Sequence, residues 1–405
     1  MARDRGSRAG GHGKGGFFLS PLGIVFTTVV IDLIGFGIAI PILPIYAKEL
    51  GASAFHIGAL ASAYALMQFI FAPVWGRLSD RYGRRPVILV SLAGTAISSV
   101  LFGLATSMAF LWVARILNGI SGASYSAAQA YVADVTGPED RAKGMGLIGA
   151  AFGIGFVLGP AIGGLCAIVD KRLPFFVAGG VAALNLVLAW RRLPEPARRT
   201  AARSSQRQLL RAAFRDGRIA PMMAITFLGT FAFVGMEQTF ALLGEERFDW
   251  GLVETGWMFT YIGVIVAVVQ GKAIGPLVAR LGERRVMLAG LVLTGLALGL
   301  LAITTHMWAL FPVMALVAAS GLVFPTVTSL VSKAVGEADQ GGMLGLLASA
   351  GGIARVLGPL AAGALFDIDV PLPYLVGAGL FAVCLVIALR GPGQTAPGTG
   401  SAITA

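Results

Sequence analysis

The sequence has little charge, little cysteine and little histidine. Only 13% of its 405 residues are Asp, Glu, Lys or Arg, whereas 56% are hydrophobic, and the mean hydropathy is +0.81. Two soluble domains of this total length would have to hide more apolar surface than they can bury, so a water-soluble fold is only a minor alternative. We therefore expect lipid, rather than water, to be the main solvent of this chain.

The few cysteines and histidines exclude several functional classes. Cys166 and Cys384 each lie in an apolar run without a neighbouring metal ligand, so they indicate neither a disulfide framework nor a zinc site. Both are expected to be small packing residues. His12, His56 and His306 form no catalytic cluster, and no phosphate-binding Gly-x-x-x-x-Gly-Lys-Ser/Thr loop is present. The sequence therefore predicts that the chain is not an enzyme and holds no metal or cofactor.

Apolar runs of about 20 residues occur twelve times along the chain. Continuous apolar runs select helices, since in lipid only helices and closed barrels satisfy their own backbone. The first run, from about Phe17 to Tyr46, follows an Arg-rich start like that of a secretory signal. It is too long for one, carries Asp32 and lacks a small-residue cleavage site, so it is interpreted as a retained first helix. The predicted fold is an all-α polytopic membrane protein with twelve spans.

Basic residues are concentrated on one side of these spans, where most of the 31 Lys and Arg residues fall in alternate loops. The positive-inside rule then predicts that both termini are cytoplasmic, in the inner membrane of a bacterium. The net charge of +11 is interpreted as a topology signal and not as a nucleic-acid surface, because it forms no single broad face. The remaining basic residues are Lys48, Lys171, Arg172 and Arg247 on the other side and Arg115 and Arg355 within spans.

The chain contains an internal repeat. A shift of 199 residues superimposes the segment Gly76 to Arg85 on Gly275 to Arg284, and Val157 to Pro160 on Val356 to Pro359. Separate matches at one offset predict two parallel six-helix bundles, with substrate bound between them near the midplane. The predicted division is a flexible tail at 1–16, a bundle at 17–190, an arginine-rich cytoplasmic linker at 191–218, a second bundle at 219–390 and a flexible tail at 391–405.

The loop after the second helix reads GRLSDRYGRRP, from Gly76 to Pro86. Gly83 permits a tight turn between two antiparallel helices, and Asp80 can meet a helix N-terminus or an arginine. The loop resembles the signature cytoplasmic loop of the major facilitator superfamily. The resemblance implies a latch between the bundles, weaker in the second copy, where Ala279 replaces the acid; a topology signal alone is the simpler alternative. The expected latch residues are Gly76, Asp80, Arg81, Gly83, Arg84, Arg85 and Asp134, the last paired with an arginine of the loop.

Two further segments are similar to motifs of the same superfamily. RILNGISG, from Arg115 to Gly122 in the fourth helix, resembles the motif in which a buried arginine takes part in proton transfer. GFVLGPAIGG, from Gly155 to Gly164 in the fifth helix, resembles the motif of the exporter branches. Glycines on one face allow close helix packing, and a proline lets the helix bend or seal an interface. The residues of this antiporter motif are Gly155, Gly159, Pro160, Gly163 and Gly164.

Segments over nearly the whole chain, such as Ala130 to Thr136 and Gly275 to Arg285, look like those of bacterial tetracycline exporters. The resemblance implies a monomer that exports a small organic molecule in exchange for protons, driven by the proton-motive force. Ser98 and Thr294 stand where those exporters have acidic residues, and Val266 where some have a histidine, so tetracycline as a magnesium chelate is not the expected substrate. A proton-coupled uptake carrier or facilitator of the same fold is the alternative.

Four charged residues lie within the spans, where a charge near the bilayer centre costs roughly 2.5 to 3.5 kcal/mol on insertion scales. Asp32 is the predicted proton carrier, because burial disfavours its ionised form and a cation such as Arg115 favours it; a permanent ion pair of the two is the structural alternative. Glu237 is a second proton-coupling candidate, unless it lies in the solvated outer interface. Arg355 is predicted to neutralise an acid, meet an anionic group of the substrate or lock the halves. Further predicted polar groups of the cavity are Gln68, Asn118, Tyr125, Gln129, Gln238, Tyr261 and Gln270.

Overall fold

The computed structural model describes residues 20–122, 124–136, 141–196, 217 and 219–390. This part of the chain is helical and contains no strand. The first half contains α1 (Pro21–Glu49), α2 (Ala54–Tyr82), α3 (Arg84–Leu104), α4 (Met108–Ser121), α5 (Ser124–Val135), α6 (Arg141–Ala167) and α7 (Leu173–Arg192). The second half contains α8 (Ile219–Phe248), α9 (Leu252–Val268), α10 (Ile274–Leu281), α11 (Glu283–Ile303), α12 (Met307–Val317), α13 (Val323–Ala334), α14 (Glu337–Ile368) and α15 (Leu372–Arg390).

Twelve membrane spans can be traced through these helices. Among the described residues, 10 spans are long and apolar enough to cross a bilayer, with α9 and α10 joined into one by a π-helical turn at Val269–Ala273. The fourth and tenth spans are each interrupted: α4 is followed by α5, and α12 by α13 through a tighter turn at Ala318–Leu322. The predicted twelve spans are confirmed, but two of them are broken where the sequence predicts continuous helices.

The interruption of the fourth span is stabilised by side chains from its neighbours. Carbonyl groups freed at a helix break within a membrane protein need new hydrogen-bond donors. Three donors come from α2 and α3. The hydrogen bonds run from Trp75 Nε1 to the carbonyl of Ile120 (2.6 Å), from Gln68 Nε2 to that of Gly122 (3.1 Å) and from Ser91 Oγ to that of Ser121.

The tenth span is interrupted at the equivalent place. Gly321 lies 199 residues after Gly122, and the amide of Gln270 packs against it, 3.2 Å from where a Cβ would lie. Gln68 approaches Gly122 in the same way, at 3.0 Å. Each half therefore has a break at the equivalent glycine with a glutamine packed against it, although Ala267, and not Gln270, is the repeat counterpart of Gln68.

Two sharp turns mark one face of the molecule. Gly83 separates α2 from α3 with φ of 111°, and Gly282 separates α10 from α11 with φ of 80°. Glycine adopts this left-handed region without the steric penalty of a side chain, so the predicted tight turn at Gly83 is confirmed. We call this face the basic side and the other face the opposite side.

The two bundles meet along two seams near the opposite side. On the α2–α14 seam, a side chain at Gly58 would collide with the carbonyl of Pro359. On the α6–α9 seam, a Cβ at Gly256 would lie 2.9 Å from the carbonyl oxygen of Pro160. Small residues let the helix backbones approach closely, as in other membrane helix pairs.

Polar contacts also join the bundles at the opposite side. The carboxylate of Asp367, at the end of α14, accepts hydrogen bonds from the backbone N–H groups of Ala54 and Phe55 at the start of α2, both at 2.9 Å. Lys48, at the end of α1, forms an ion pair with Glu245 of α8 at 3.0 Å. These contacts close the opposite side by capping a helix N-terminus and pairing charges.

The basic side is open between the bundles. A methyl group placed at Gly146 or Gly149 of α6, or at Gly341 or Gly345 of α14, would meet no other atom within 4 Å. The same helices are tightly packed nearer the opposite side. The structure is therefore an alternating-access conformation that faces the basic side.

Candidate functional site

A cavity of about 1210 Å³ lies between the two bundles. Its wall includes Gly146 and Gly149 towards the basic side, and Leu43 and Phe240, which belong to the packed core, towards the opposite side. In this conformation the cavity can therefore be entered only from the basic side. The volume exceeds the roughly 300 to 1,000 Å³ of ordinary small-molecule pockets, so a drug-sized molecule fits with water around it.

Most of the predicted polar residues face this cavity. α1 and α2 contribute from one bundle, together with α4, and α8 and α14 contribute from the other. The sequence therefore identified the wall that the helices build together. The predicted residues that line the cavity are Asp32, Gln68, Arg115, Asn118, Glu237, Gln238, Gln270 and Arg355.

Arg115 is held by the N-terminal bundle itself. Its Nε donates a hydrogen bond to the carbonyl of Leu60 at 3.2 Å, and its guanidinium lies over the ring of Tyr64, 4.5 Å from the centroid. A desolvated cation over an aromatic face gains about 2 kcal/mol. Asp32 lines the same cavity, and Tyr64 lies within electrostatic range of both Asp32 and Arg115.

Of the three positions expected to differ from tetracycline exporters, Val266 lines the cavity and the other two lie behind its wall. Ser98 is fully buried and accepts a hydrogen bond from Asn118 Nδ2 at 2.9 Å. Thr294 is also fully buried and donates to the carbonyl of Gly290 at 2.8 Å. Among the described residues, the cavity side of α3 is formed instead by Thr95, Ser99 and Phe102.

The C-terminal bundle contributes one acid and one base to the wall. Glu237 of α8 lines the cavity, so the alternative that it lies in the outer interface is wrong. Arg355 of α14 lines it too and is an exposed residue there. Neither forms a hydrogen bond or an ion pair with another residue of the described chain, although each lies within electrostatic range of the other.

Three predicted cavity residues are placed elsewhere or not described. Tyr261 donates from its hydroxyl to the carbonyl of Phe311 at 3.0 Å and packs edge-on against that ring at 5.4 Å, so it joins α9 to α12 and does not line the cavity. Gln129, on α5, is also outside the lining. The side chain of Tyr125 lies outside the described residues.

The predicted loop from Gly76 to Pro86 is helical on both sides of Gly83, and an arginine between two acids holds it. Arg84 contacts Asp80 through Nη1 at 2.9 Å and Asp134 through Nε at 3.0 Å. The predicted pairing of Asp134 with an arginine of this loop is therefore confirmed. Asp134 and Arg84 side chains are only 11% and 18% exposed, which strengthens their interaction relative to a surface pair.

Glu195 caps the start of α3, a contact that the sequence did not predict. Its carboxylate accepts hydrogen bonds from the backbone N–H groups of Arg84 (2.6 Å) and Arg85 (3.0 Å), which Gly83 leaves without a side-chain cap. Arg85 in turn donates to the carbonyl of Trp190 at 2.6 Å. The available signal was an acid directly after a span, within reach of a helix that starts with a glycine cap.

The antiporter motif packs in two directions. Gly155 and Gly159 leave room for α1, since a Cβ on either would lie 2.6 Å from an atom of Leu33 or Gly37. Gly163 faces α1 as well, whereas Pro160 and Gly164 face Gly256 across the α6–α9 seam. The motif therefore connects the first span to the joint between the bundles.

Comparison with known proteins agrees with this geometry. The chain matches the pattern of the Major Facilitator Superfamily over residues 25–274 and 273–403. It is 35% identical to the class C tetracycline resistance protein of Escherichia coli, over 93% of this chain and 98% of that protein. It is 32% identical to multidrug resistance protein 1 of Bacillus subtilis, over 92% and 96%.

Solved structures share the architecture. The human organic anion transporter MFSD10 is 28% identical, with a TM-score of 0.69 over 91% of this chain and 98% of that one. The nucleoside transporter NupG, at 15% identity, has a TM-score of 0.78 over 91% and 99% and shows the fold alone. With both halves matched and relatives above 30% identity along nearly its whole length, the chain belongs to the major facilitator superfamily of membrane transporters.

Proposed function

We propose that this chain is a proton-coupled exporter of small organic molecules that works by alternating access. One observation carries the proposal: a cavity of about 1210 Å³, open to the basic side and closed to the opposite side, has Asp32 and Glu237 in its wall. A carboxylic acid in such a wall can exchange a proton with whichever side the cavity faces. The tetracycline and multidrug resistance proteins among the relatives favour drug-like molecules and export over uptake.

In this proposal Asp32 carries the proton, and Arg115 influences when Asp32 releases it. Asp32 takes up a proton while the cavity faces the opposite side and releases it when substrate enters from the basic side. Arg115 stays over the ring of Tyr64, and Tyr64 lies within electrostatic range of both Asp32 and Arg115. The positive charge of Arg115 favours release of the proton from Asp32. Glu237 carries a second proton or the cationic part of a substrate. One proton moving down 100 mV supplies about 2.3 kcal/mol, enough for roughly fortyfold accumulation of a neutral molecule.

The basic side faces the cytoplasm in this proposal, because cytoplasmic loops of membrane proteins carry the excess of Lys and Arg. Both termini are then cytoplasmic and the membrane is the inner membrane of a bacterium. A single chain forms both seams and the whole cavity, which supports function as a monomer. The proton gradient supplies the energy, so no cofactor is required.

The substrate is not a magnesium chelate of tetracycline in this proposal. Ser98 and Thr294 carry no charge for a chelated cation, and both lie behind the cavity wall. Val266, where some tetracycline exporters have a histidine, lines the cavity as an apolar surface. Substrates whose own charges meet Asp32, Glu237 or Arg355 fit the wall better.

Everted membrane vesicles with an acidified lumen test the proposal. A transported compound should alkalinise the lumen as protons leave in exchange, and the Asp32→Asn variant should lose this signal because its side chain cannot release a proton. Asp170→Asn, an exposed acid between α6 and α7, is the matched control and should retain it. If proton exchange is unchanged in Asp32→Asn, Asp32 is not the proton carrier. If substrate and protons leave the vesicles together, the protein is an uptake carrier and not an exporter.

A further inference from the structure

The charged groups of the cavity differ in how far they are already satisfied. In the N-terminal bundle, Arg115 is committed to the Leu60 carbonyl and the Tyr64 ring. In the C-terminal bundle, Glu237 and Arg355 have no hydrogen bond or ion pair with any residue that the structure describes, and both face the cavity. Charged residues at the depth of a membrane span are rare and mark binding or transport functions, also where a cavity lets water reach them.

The helix packing sets the relative height of these two groups in the cavity. α8 and α14 run in the same direction, and Gly351 lies against Thr226 and Thr230 whereas Gly358 lies against Phe231. Arg355 is therefore level with residues near Phe231, about six residues before Glu237. At 1.5 Å per residue this separates the two Cα atoms along the helix axis by roughly 9 Å, and in this conformation the side chains do not meet in an ion pair.

The order of the two charges along the cavity is fixed by the same packing. Glu237 lies nearer the closed opposite side, and Arg355 lies nearer the open basic side. Between and around them the wall is mainly apolar, with aromatic rings from both bundles that include Phe36, Phe156, Phe233 and Phe324. A flat aromatic body can occupy this space while its polar ends meet the two charges.

We propose that the C-terminal bundle selects dipolar aromatic substrates, which place a cationic centre at Glu237 and a carboxylate or similar anionic group at Arg355. This substrate class rests on the proposed export function for its transport, but its binding can be measured without transport. A molecule with only the cationic end leaves Arg355 unpaired, and one with only the anionic end leaves Glu237 unpaired. The zwitterion satisfies both and is therefore bound more tightly than either.

A matched pair of dyes tests this inference. Rhodamine B carries a cationic xanthene and a free carboxylate, and its ethyl ester has the same rings and cation without the anion. Binding to the purified full chain in detergent is measured by fluorescence anisotropy. In the Arg355→Gln variant, the dissociation constant for rhodamine B should rise roughly 10- to 100-fold, the range for a lost charge-assisted contact, whereas that for the ester should change less than about twofold.

Two further variants separate binding from folding. Arg355→Lys keeps the charge and should restore most of the affinity for rhodamine B. Glu237→Gln should weaken the zwitterion and the ester alike, because both present the cation. The inference would be overturned if Arg355→Gln lost equal affinity for both dyes, or if the unaltered chain bound both dyes with the same affinity.

The same samples keep this inference distinct from the proposed function. If rhodamine B binds with the predicted dependence on Arg355 but moves no protons in vesicles, the binding site stands and the export function fails. If it is exported in exchange for protons with no dependence on Arg355, the export function stands and the dipolar site fails.

Discussion

The two bundles repeat one arrangement of helices, yet the ion pair at their basic ends has opposite polarity. In the N-terminal bundle, Arg84 at the start of α3 pairs with Asp134 of α5 at 3.0 Å. In the C-terminal bundle, Glu283 at the start of α11 pairs with Lys333 of α13 at 2.8 Å. Each residue of the second pair lies 199 positions after its counterpart. Both halves therefore tie these two spans together by an ion pair, with the charges in opposite order.

A neighbouring contact shows where the order of the charges cannot be reversed. Arg85 donates to the carbonyl of Trp190 in the N-terminal bundle, and Arg284 donates to the carbonyls of Ala388 and Leu389 in the C-terminal one. A carbonyl at a helix C-terminus only accepts hydrogen bonds and carries a partial negative charge, so its partner must be a donor and preferably a cation. Charge reversal is possible where both partners are side chains, and not where one is backbone.

The largest effect is expected from Arg84→Gln, which breaks the N-terminal tie. Asp80 and Asp134 would then lose their shared cation. We expect the free energy of unfolding to fall by about 2 kcal/mol and the initial transport rate to fall at least roughly tenfold. Thermal unfolding in detergent and vesicle transport measure the two effects. Arg77→Gln, an exposed arginine of the same loop, is the control and should behave like the unaltered chain.

A smaller effect is expected from Glu195→Gln, which weakens an anchor of the N-terminal bundle. The amide keeps one acceptor for the two N–H groups at the start of α3 and loses the charge that favours a helix N-terminus. The free energy of unfolding should fall by about 1 kcal/mol. Glu195→Ala removes both acceptors, so its free energy of unfolding should fall further in the same thermal unfolding measurement. Equal stability of the unaltered chain and both variants would show that these hydrogen bonds do not stabilise the fold.

The smallest effect is expected from exchanging the charges of the C-terminal pair, Glu283→Lys with Lys333→Glu. The two side chains can still pair, but Glu283 loses its hydrogen bond from Ser329 and each helix end receives the charge that its dipole disfavours, so the free energy of unfolding should fall by less than about 1 kcal/mol. The corresponding exchange, Arg84→Glu with Asp134→Arg, should be harmful, because Asp80 would face a second carboxylate. Both exchanges are compared by thermal unfolding. If both exchanges change stability by the same amount, Asp80 does not make the N-terminal pair more sensitive to charge reversal than the C-terminal pair.

The sequence predicted the parts of the site that depend on span position alone. Charges within apolar runs must face a protein interior or water, so Asp32, Arg115, Glu237 and Arg355 were identifiable as cavity residues without coordinates. The repeat predicted the second bundle. The same offset, applied to Arg84 and Asp134, would also have revealed the reversed pair.

The remaining features depend on helix rotation and on local breaks. Whether Tyr261 faces the cavity or Phe311 is decided by how α9 packs on α12, and hydropathy does not report that angle. The interruption at Gly122 depends on donors from α2 and α3 that are distant in sequence. Glu195 was assigned to a linker because its partner is a helix N-terminus, which has no charge in the sequence.

The interrupted fourth and tenth spans have a mechanical consequence. A continuous span moves as one rod, whereas α5 and α13, each about 18 Å long, can pivot while α4 and α12 keep their packing. Both pivots lie at the same depth, because Gly122 and Gly321 are equivalent in the repeat. The basic ends of these two spans can therefore change their tilt in the membrane without a rotation of the whole bundle.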